Sequence, residues 1–98
     1  MDLGLKGRTA LITGGSRGLG KAICMYLAQE GANIAINFKN NIEKANLLAS
    51  EIQDRYGVSA ITVQGSIYCE EDVKRIFREV TDKFPGMDIL VNNAGICP

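Results

Sequence analysis

The stretch Thr13-Gly14-Gly15-Ser16-Arg17-Gly18-Leu19-Gly20 stands between two segments of different periodicity. Before it, Arg8-Thr9-Ala10-Leu11-Ile12-Thr13 is a short apolar run closed by glycines, the pattern of a strand buried on both faces. After it, Leu19, Ile23, Tyr26 and Leu27 recur at helical spacing. A helix is therefore expected from about Leu19 to Glu30, with those residues on its apolar face and Gly31 as its stop. A strand that turns through glycines into a helix brings bare backbone N–H groups and the positive end of the helix dipole to one place, where a phosphate can bind. Glycine allows both the tight turn and the close approach, because no Cβ intervenes.

Working outward, strand and helix alternate. Asn33 to Phe38 reads as a second strand, and Asn41 as the cap of a helix running to about Tyr56. That helix carries Ile42, Ala45, Leu48, Ala49 and Ile52 on one face and stops at Gly57. Ala60-Ile61-Thr62-Val63 is a third strand, rich in β-branched residues. A third helix, Glu70 to Lys83, shows Val73, Ile76, Phe77, Val80 and Phe84 at helical spacing, with Glu70, Glu71 and Asp72 where the dipole favours negative charge. Pro85-Gly86 ends it. Asp88-Ile89-Leu90-Val91-Asn92 is the fourth strand, followed by Asn93-Ala94-Gly95. The order βαβαβαβ implies an α/β fold: the N-terminal half of a Rossmann-type, doubly wound parallel sheet with helices on both faces. Residues 1–98 read as one domain.

Composition narrows the function classes. Eleven Lys and Arg balance eleven Asp and Glu, so no net field draws the chain to nucleic acid or an anionic membrane. No apolar run reaches the ~18 residues of a membrane span, and Met1-Asp2-Leu3-Gly4-Leu5-Lys6 lacks a signal-peptide profile, so a cytoplasmic location is expected. Cys24, Cys69 and Cys97 are odd in number and widely spaced, which argues against a disulfide framework or a zinc site. Cys24, among apolar helix positions, reads as a packing residue. With no histidine, a Ser-His-Asp arrangement is excluded within these residues and no metal site is expected.

Gly14, Gly18 and Gly20 give G-x-x-x-G-x-G, not the commoner G-x-G-x-x-G. Gly15 to Lys21 also begins like a P-loop, G-x-x-x-x-G-K. The next residue, however, is Ala22, where that motif needs a hydroxyl for Mg²⁺. With Thr13-Gly14 through Gly20 after the first strand and Asn92-Asn93-Ala94-Gly95 after the fourth, the chain resembles the short-chain dehydrogenase/reductase family along its whole length. Gly14 to Gly20 and Ala35-Ile36-Asn37-Phe38-Lys39 look most like its 3-oxoacyl-(acyl carrier protein) reductase and glucose dehydrogenase branch.

The resemblance implies a dinucleotide cofactor. Gly14, Gly15, Ser16, Arg17, Gly18, Leu19 and Gly20 would cradle the pyrophosphate, with Ser16 and Arg17 near the adenosine ribose. Asn93, Ala94 and Gly95 would run along the ribose and nicotinamide side, while Thr13 and Asn92 brace neighbouring strands. At the end of the second strand a carboxylate would accept from the ribose hydroxyls and repel a 2′-phosphate. Here Phe38 and Lys39 stand there, with no acid until Glu43, and Lys39 and Arg17 could pair with a phosphate; NADP(H) is favoured over NAD(H). After the third strand the family places an Asp for the adenine amino group. This chain has Ser66, whose hydroxyl can accept a hydrogen bond without charge, and Ile67 could cover the adenine face.

The family's proton-transfer Tyr and Lys, four residues apart, are not found: Tyr26, Tyr56 and Tyr68 are followed by Glu30, Ala60 and Asp72. No catalytic residue is assigned, and the tyrosines read as packing or surface residues. The family's strand order would also place the fourth strand beside the first as an exposed apolar edge. The chain is thus expected to be the cofactor-binding front of a longer, homo-oligomeric enzyme with a small-molecule or acyl-thioester carbonyl substrate, inactive by itself. The alternative is a non-catalytic dinucleotide-binding module. An epimerase or dehydratase using tightly held NAD is disfavoured by the missing acid at Phe38.

Overall fold

Side chains alternate across a strand, and here the alternation divides the core in two. Ala10, Ile12, Ile34, Ile36 and Phe38 pack on one face of the sheet, Leu11, Ala35 and Val63 on the other. In the computed structural model, which describes residues 4–93, these strands are β1 (Thr9–Thr13), β2 (Asn33–Phe38) and β3 (Ala60–Gln64), joined by a fourth, β4 (Ile89–Asn92). The helices are α1 (Gly18–Gln29), α2 (Ile42–Tyr56) and α3 (Glu70–Lys83). Among the described residues the sheet has the order β3-β2-β1-β4, every pairing parallel. The expected βαβαβαβ alternation and the place of β4 beside β1, opposite β2, are both present.

α1 and α2 cover the first face through Cys24, Ala28, Ala45, Leu48, Ala49 and Ile52, and α3 covers the second through Ile76 and Val80, joined by Phe84 just after its end. The chain therefore changes direction between β1 and β4, the kind of switch point where a parallel sheet opens a crevice at the carboxyl ends of its strands. Helix ends follow local chemistry. The Asn41 side chain accepts the Lys44 N–H at 3.0 Å, and Gly57 closes α2 with φ 70°.

One expectation is corrected. The face of α1 turned to the sheet is Gly20, Cys24 and Ala28, whereas Leu19 (69% exposed) and Tyr26 (53%) look outward and Ile23 and Leu27 are half-buried. Small residues spaced four apart let the helix axis approach the strands. Periodicity weighted by large apolar side chains selects a neighbouring stripe instead. Ile42 and Phe77, read as buried, are likewise exposed, at 52% and 39%.

β4 is fastened to β1 at its entry. The Asp88 N–H donates to Thr9 O at 2.9 Å, the Thr9 N–H returns to Asp88 Oδ2 at 2.9 Å, and Arg8 reaches Asp88 Oδ1 at 3.3 Å. The Thr9 N–H, and then Arg8, hold the Asp88 carboxyl below its ordinary value of 3.8. A carboxyl depressed in the folded state contributes stability above its unfolded value and loses it as pH falls through the folded one. Asp88→Asn is therefore expected to lower stability at neutral pH by an amount that shrinks in acid, below about pH 3.8, as urea unfolding across pH would show. A difference independent of pH down to strong acid would refute that role.

Candidate functional site

The glycine turn is built by three constraints. Gly14 and Gly18 adopt φ of 63° and 58°, the left-handed region where other residues are disfavoured. The Gly15 N–H donates to Asn37 O at 3.1 Å, tying the turn to the end of β2. At Gly20 a Cβ would collide with Gly14 O and lie 2.5 Å from Asn93 Nδ2 and 2.9 Å from Gly15 Cα, so only glycine lets α1 start so near the strand. From the β4 side, Asn93 Nδ2 donates to Gly14 O at 3.3 Å and the Asn93 N–H to Thr13 Oγ1 at 2.8 Å. The Thr13 hydroxyl lies 3.1 Å from Asn92 Oδ1, so Thr13 and Asn92 do brace β1 against β4.

Beneath the turn, Cys24 is fully buried with its Sγ 3.8 Å from Gly15 O. Burial pushes its thiol up to about 12, against a smaller opposing effect of the backbone hydrogen bond, so it stays protonated and serves packing.

The turn faces a cleft of about 550 Å³ at the carboxyl ends of β1, β2 and β3. Gly18, the first residue of α1, lines this space, and the helix start has no side-chain cap and no acid in its first turn. The far wall is Ser66, Ile67 and Tyr68. Its backbone is set by α3: the Ser66 N–H donates to Asp72 Oδ2 at 2.9 Å, and Arg75 donates to Gln64 O at 2.7 Å. The Ser66 hydroxyl accepts the Tyr68 N–H at 3.2 Å and keeps its own proton to donate. Between the walls, buried Asn37 donates through Nδ2 to Val63 O at 3.2 Å and Gly65 O at 3.1 Å, locking β2 to β3 where the cleft begins.

Of the residues singled out from the sequence, the cleft brings together Gly14, Ser16, Arg17, Gly18, Phe38, Lys39, Ser66, Ile67 and Asn93. Gly15 and Gly20 lie behind its surface as buried turn and helix positions, and Leu19 points to solvent away from it. Ala94 and Gly95 lie outside the described residues. Sequence reading missed Asn37, Asn40, Asn41, Lys44, Gly65 and Tyr68 as lining residues. Asn41 was visible only as a cap, yet a helix that begins so soon after β2 must present its first turn to the same opening. Lys21, the lysine of the P-loop-like spacing, is not in this cleft; it lines a smaller hollow of about 310 Å³ beside it, with Leu47, Leu48 and Glu51.

The electrostatics are one-sided. Arg17, Lys39 and Lys44 line the cleft and no carboxylate does. Among the described residues the ion-paired cations are Arg8, Arg55, Lys74 and Arg75, all elsewhere. A turn that excludes side chains, uncapped amides and unpaired cations together fit a group with several phosphates. Among the described residues no cluster of His, Cys, Asp and Glu could hold a metal ion, and no helix is long and apolar enough to cross a membrane.

This geometry agrees with the sequence comparison: the chain belongs to the short chain dehydrogenase family, whose model matches residues 8–98. Among curated relatives, a 3-oxoacyl-(acyl-carrier-protein) reductase from Staphylococcus aureus is 42% identical over 89 residues, covering 91% of this chain and 36% of the relative. Among solved structures, L-sorbose reductase from Gluconobacter frateurii, complexed with NADPH and L-sorbose, superposes with a TM-score of 0.92 at 36% identity, over 100% of this chain and 37% of that one. A short chain dehydrogenase from Burkholderia cenocepacia in complex with NADP gives 0.88 at 42% identity, over 94% and 37%. The chain thus spans little more than a third of the length of these relatives.

The close contact at Gly20 makes a direct prediction. Gly20→Ala forces backbone apart and is expected to cost about 1–3 kcal/mol of stability, with dinucleotide binding lost. Gly86→Ala, where an added Cβ meets nothing within 4 Å, should leave both unchanged. Thermal unfolding and cofactor fluorescence titration check the pair; a Gly20→Ala protein of full stability and affinity would contradict the geometry.

Proposed function

We propose that this chain is the NADP(H)-binding portion of a longer carbonyl reductase, and that 3-oxoacyl thioesters are its substrate class. The observation that carries the cofactor choice is the end of β2: Phe38 and Lys39 stand where a ribose-binding acid would, in a cleft whose charged lining residues are all cations. The bound NADPH complex of the L-sorbose reductase and the NADP complex of the Burkholderia protein support it. The likeness to the Staphylococcus aureus reductase supports the substrate class.

In this reading Gly14, Gly18 and the first amides of α1 hold the pyrophosphate, aided by the helix dipole. Ser16 and Arg17 lie along the adenosine ribose, and Arg17 and Lys39 pair with its 2′-phosphate. Phe38, Ser66 and Ile67 flank the adenine. Ser66 meets it with a hydroxyl rather than a carboxylate. Asn93, continuing toward Ala94 and Gly95, guides the nicotinamide end toward the β1–β4 switch point. The cofactor, when bound, supplies a hydride to a carbonyl carbon. Proton transfer to the substrate oxygen is assigned to none of these residues: Tyr26 and Tyr56 lie outside the cleft, and Tyr68 lies on the wall formed by Ser66 and Ile67.

The test is made on the whole protein. It is expected to oxidise NADPH in the presence of a short 3-oxoacyl thioester, followed at the reduced nicotinamide absorbance. Arg17→Ala combined with Lys39→Asp should weaken NADPH binding roughly ten- to a hundredfold and spare NADH. Equal loss of both dinucleotides would overturn the cofactor assignment, and turnover of other ketones alone would overturn the substrate class.

A further inference from the structure

Resting on the reading that the cleft takes NADP(H), we propose that Lys44 is a third cation for the 2′-phosphate and a residue that sets cofactor specificity. Lys44 lies in the first turn of α2, where the helix dipole disfavours a positive charge. Its side chain is exposed and makes no ion pair among the described residues, so neither packing nor pairing accounts for a cation there.

Its surroundings do account for it. Lys44 lines both the main cleft and the smaller hollow beside it, and Arg17 is the other cation common to the two. The two residues therefore border the same opening, Arg17 from the glycine turn and Lys44 from α2, and Lys39, directly after β2, borders the main cleft with them. The Lys44 N–H is taken by Asn41 Oδ1 at 3.0 Å, which fixes the helix start and leaves the ammonium as the group Lys44 can offer. Glu51 reaches only the smaller hollow.

A ribose 2′-phosphate carries close to two negative charges at neutral pH, more than one cation neutralises. The compact ammonium on a flexible stem suits such a group without demanding one fixed geometry. NADH, which lacks the 2′-phosphate, gives Lys44 nothing to hold.

The experiment measures dissociation constants of NADPH and NADH for the whole protein and its Lys44→Ala, Lys44→Glu and Lys44→Arg variants, by cofactor fluorescence at low and moderate salt. Lys44→Ala is expected to weaken NADPH roughly three- to tenfold, Lys44→Glu further, and Lys44→Arg to retain most of the affinity. NADH should change less than about twofold, and the NADPH loss should narrow as salt rises. Equal weakening of both cofactors, or NADPH affinity untouched by Lys44→Glu, overturns the proposal. A wild-type protein that binds neither dinucleotide overturns the reading of the cleft itself, and this proposal with it.

Discussion

The Cα of Gly20 faces the carbonyl of Gly14 with no room between them for a methyl group, and the site is organised around that contact. It sets where α1 begins and so where the uncapped amides of its first turn lie. The same small-residue stripe continues through Cys24 and Ala28, keeping the helix low on the sheet along its length. Asn93 reaches the same Gly14 carbonyl from β4, so the glycine turn, α1 and the switch point form one mechanical unit. A perturbation at the turn is therefore felt on both sides of the crevice.

Around that unit, buried polar groups are used to hold backbone in place. Asn37 is nearly inaccessible and its amide gives both of its hydrogen bonds to carbonyls at the end of β3. Asp72 supplies a carboxylate close to the wall opposite the turn, but gives it to the Ser66 N–H. That wall is thus fixed by an acid that does not line the cleft, while the hydroxyl presented inside carries no charge. Among the described residues no buried side-chain nitrogen or oxygen is left without a partner, so the polar positions near the cleft do not burden the fold with unpaired groups. The positive lining has no carboxylate beside it within the cleft.

Much of the fold was legible in the residues. β1 and β2 are runs that only a doubly covered sheet can bury, and the helix stops and the Asn41 cap act locally, so their chemistry shows in the chain itself. The glycine spacing was legible for the same reason. The inward face of α1 was not: Gly20, Cys24 and Ala28 are weakly hydrophobic, and their virtue is smallness, which matters only when a strand lies a few ångströms away. Nor was the role of Asn37, which has the composition of a loop residue and the position of a lock.

The sequence by itself determined the order of elements, the glycine turn and the absence of an acid directly after β2, because each is a matter of local spacing and residue type. Only the tertiary structure decided which cations share a space. Lys44 lies on a different element from Arg17, and nothing in the spacing along the chain brings them together. What does so is parallel pairing: it aligns the carboxyl ends of β1 and β2, and with them the helix starts that follow each strand.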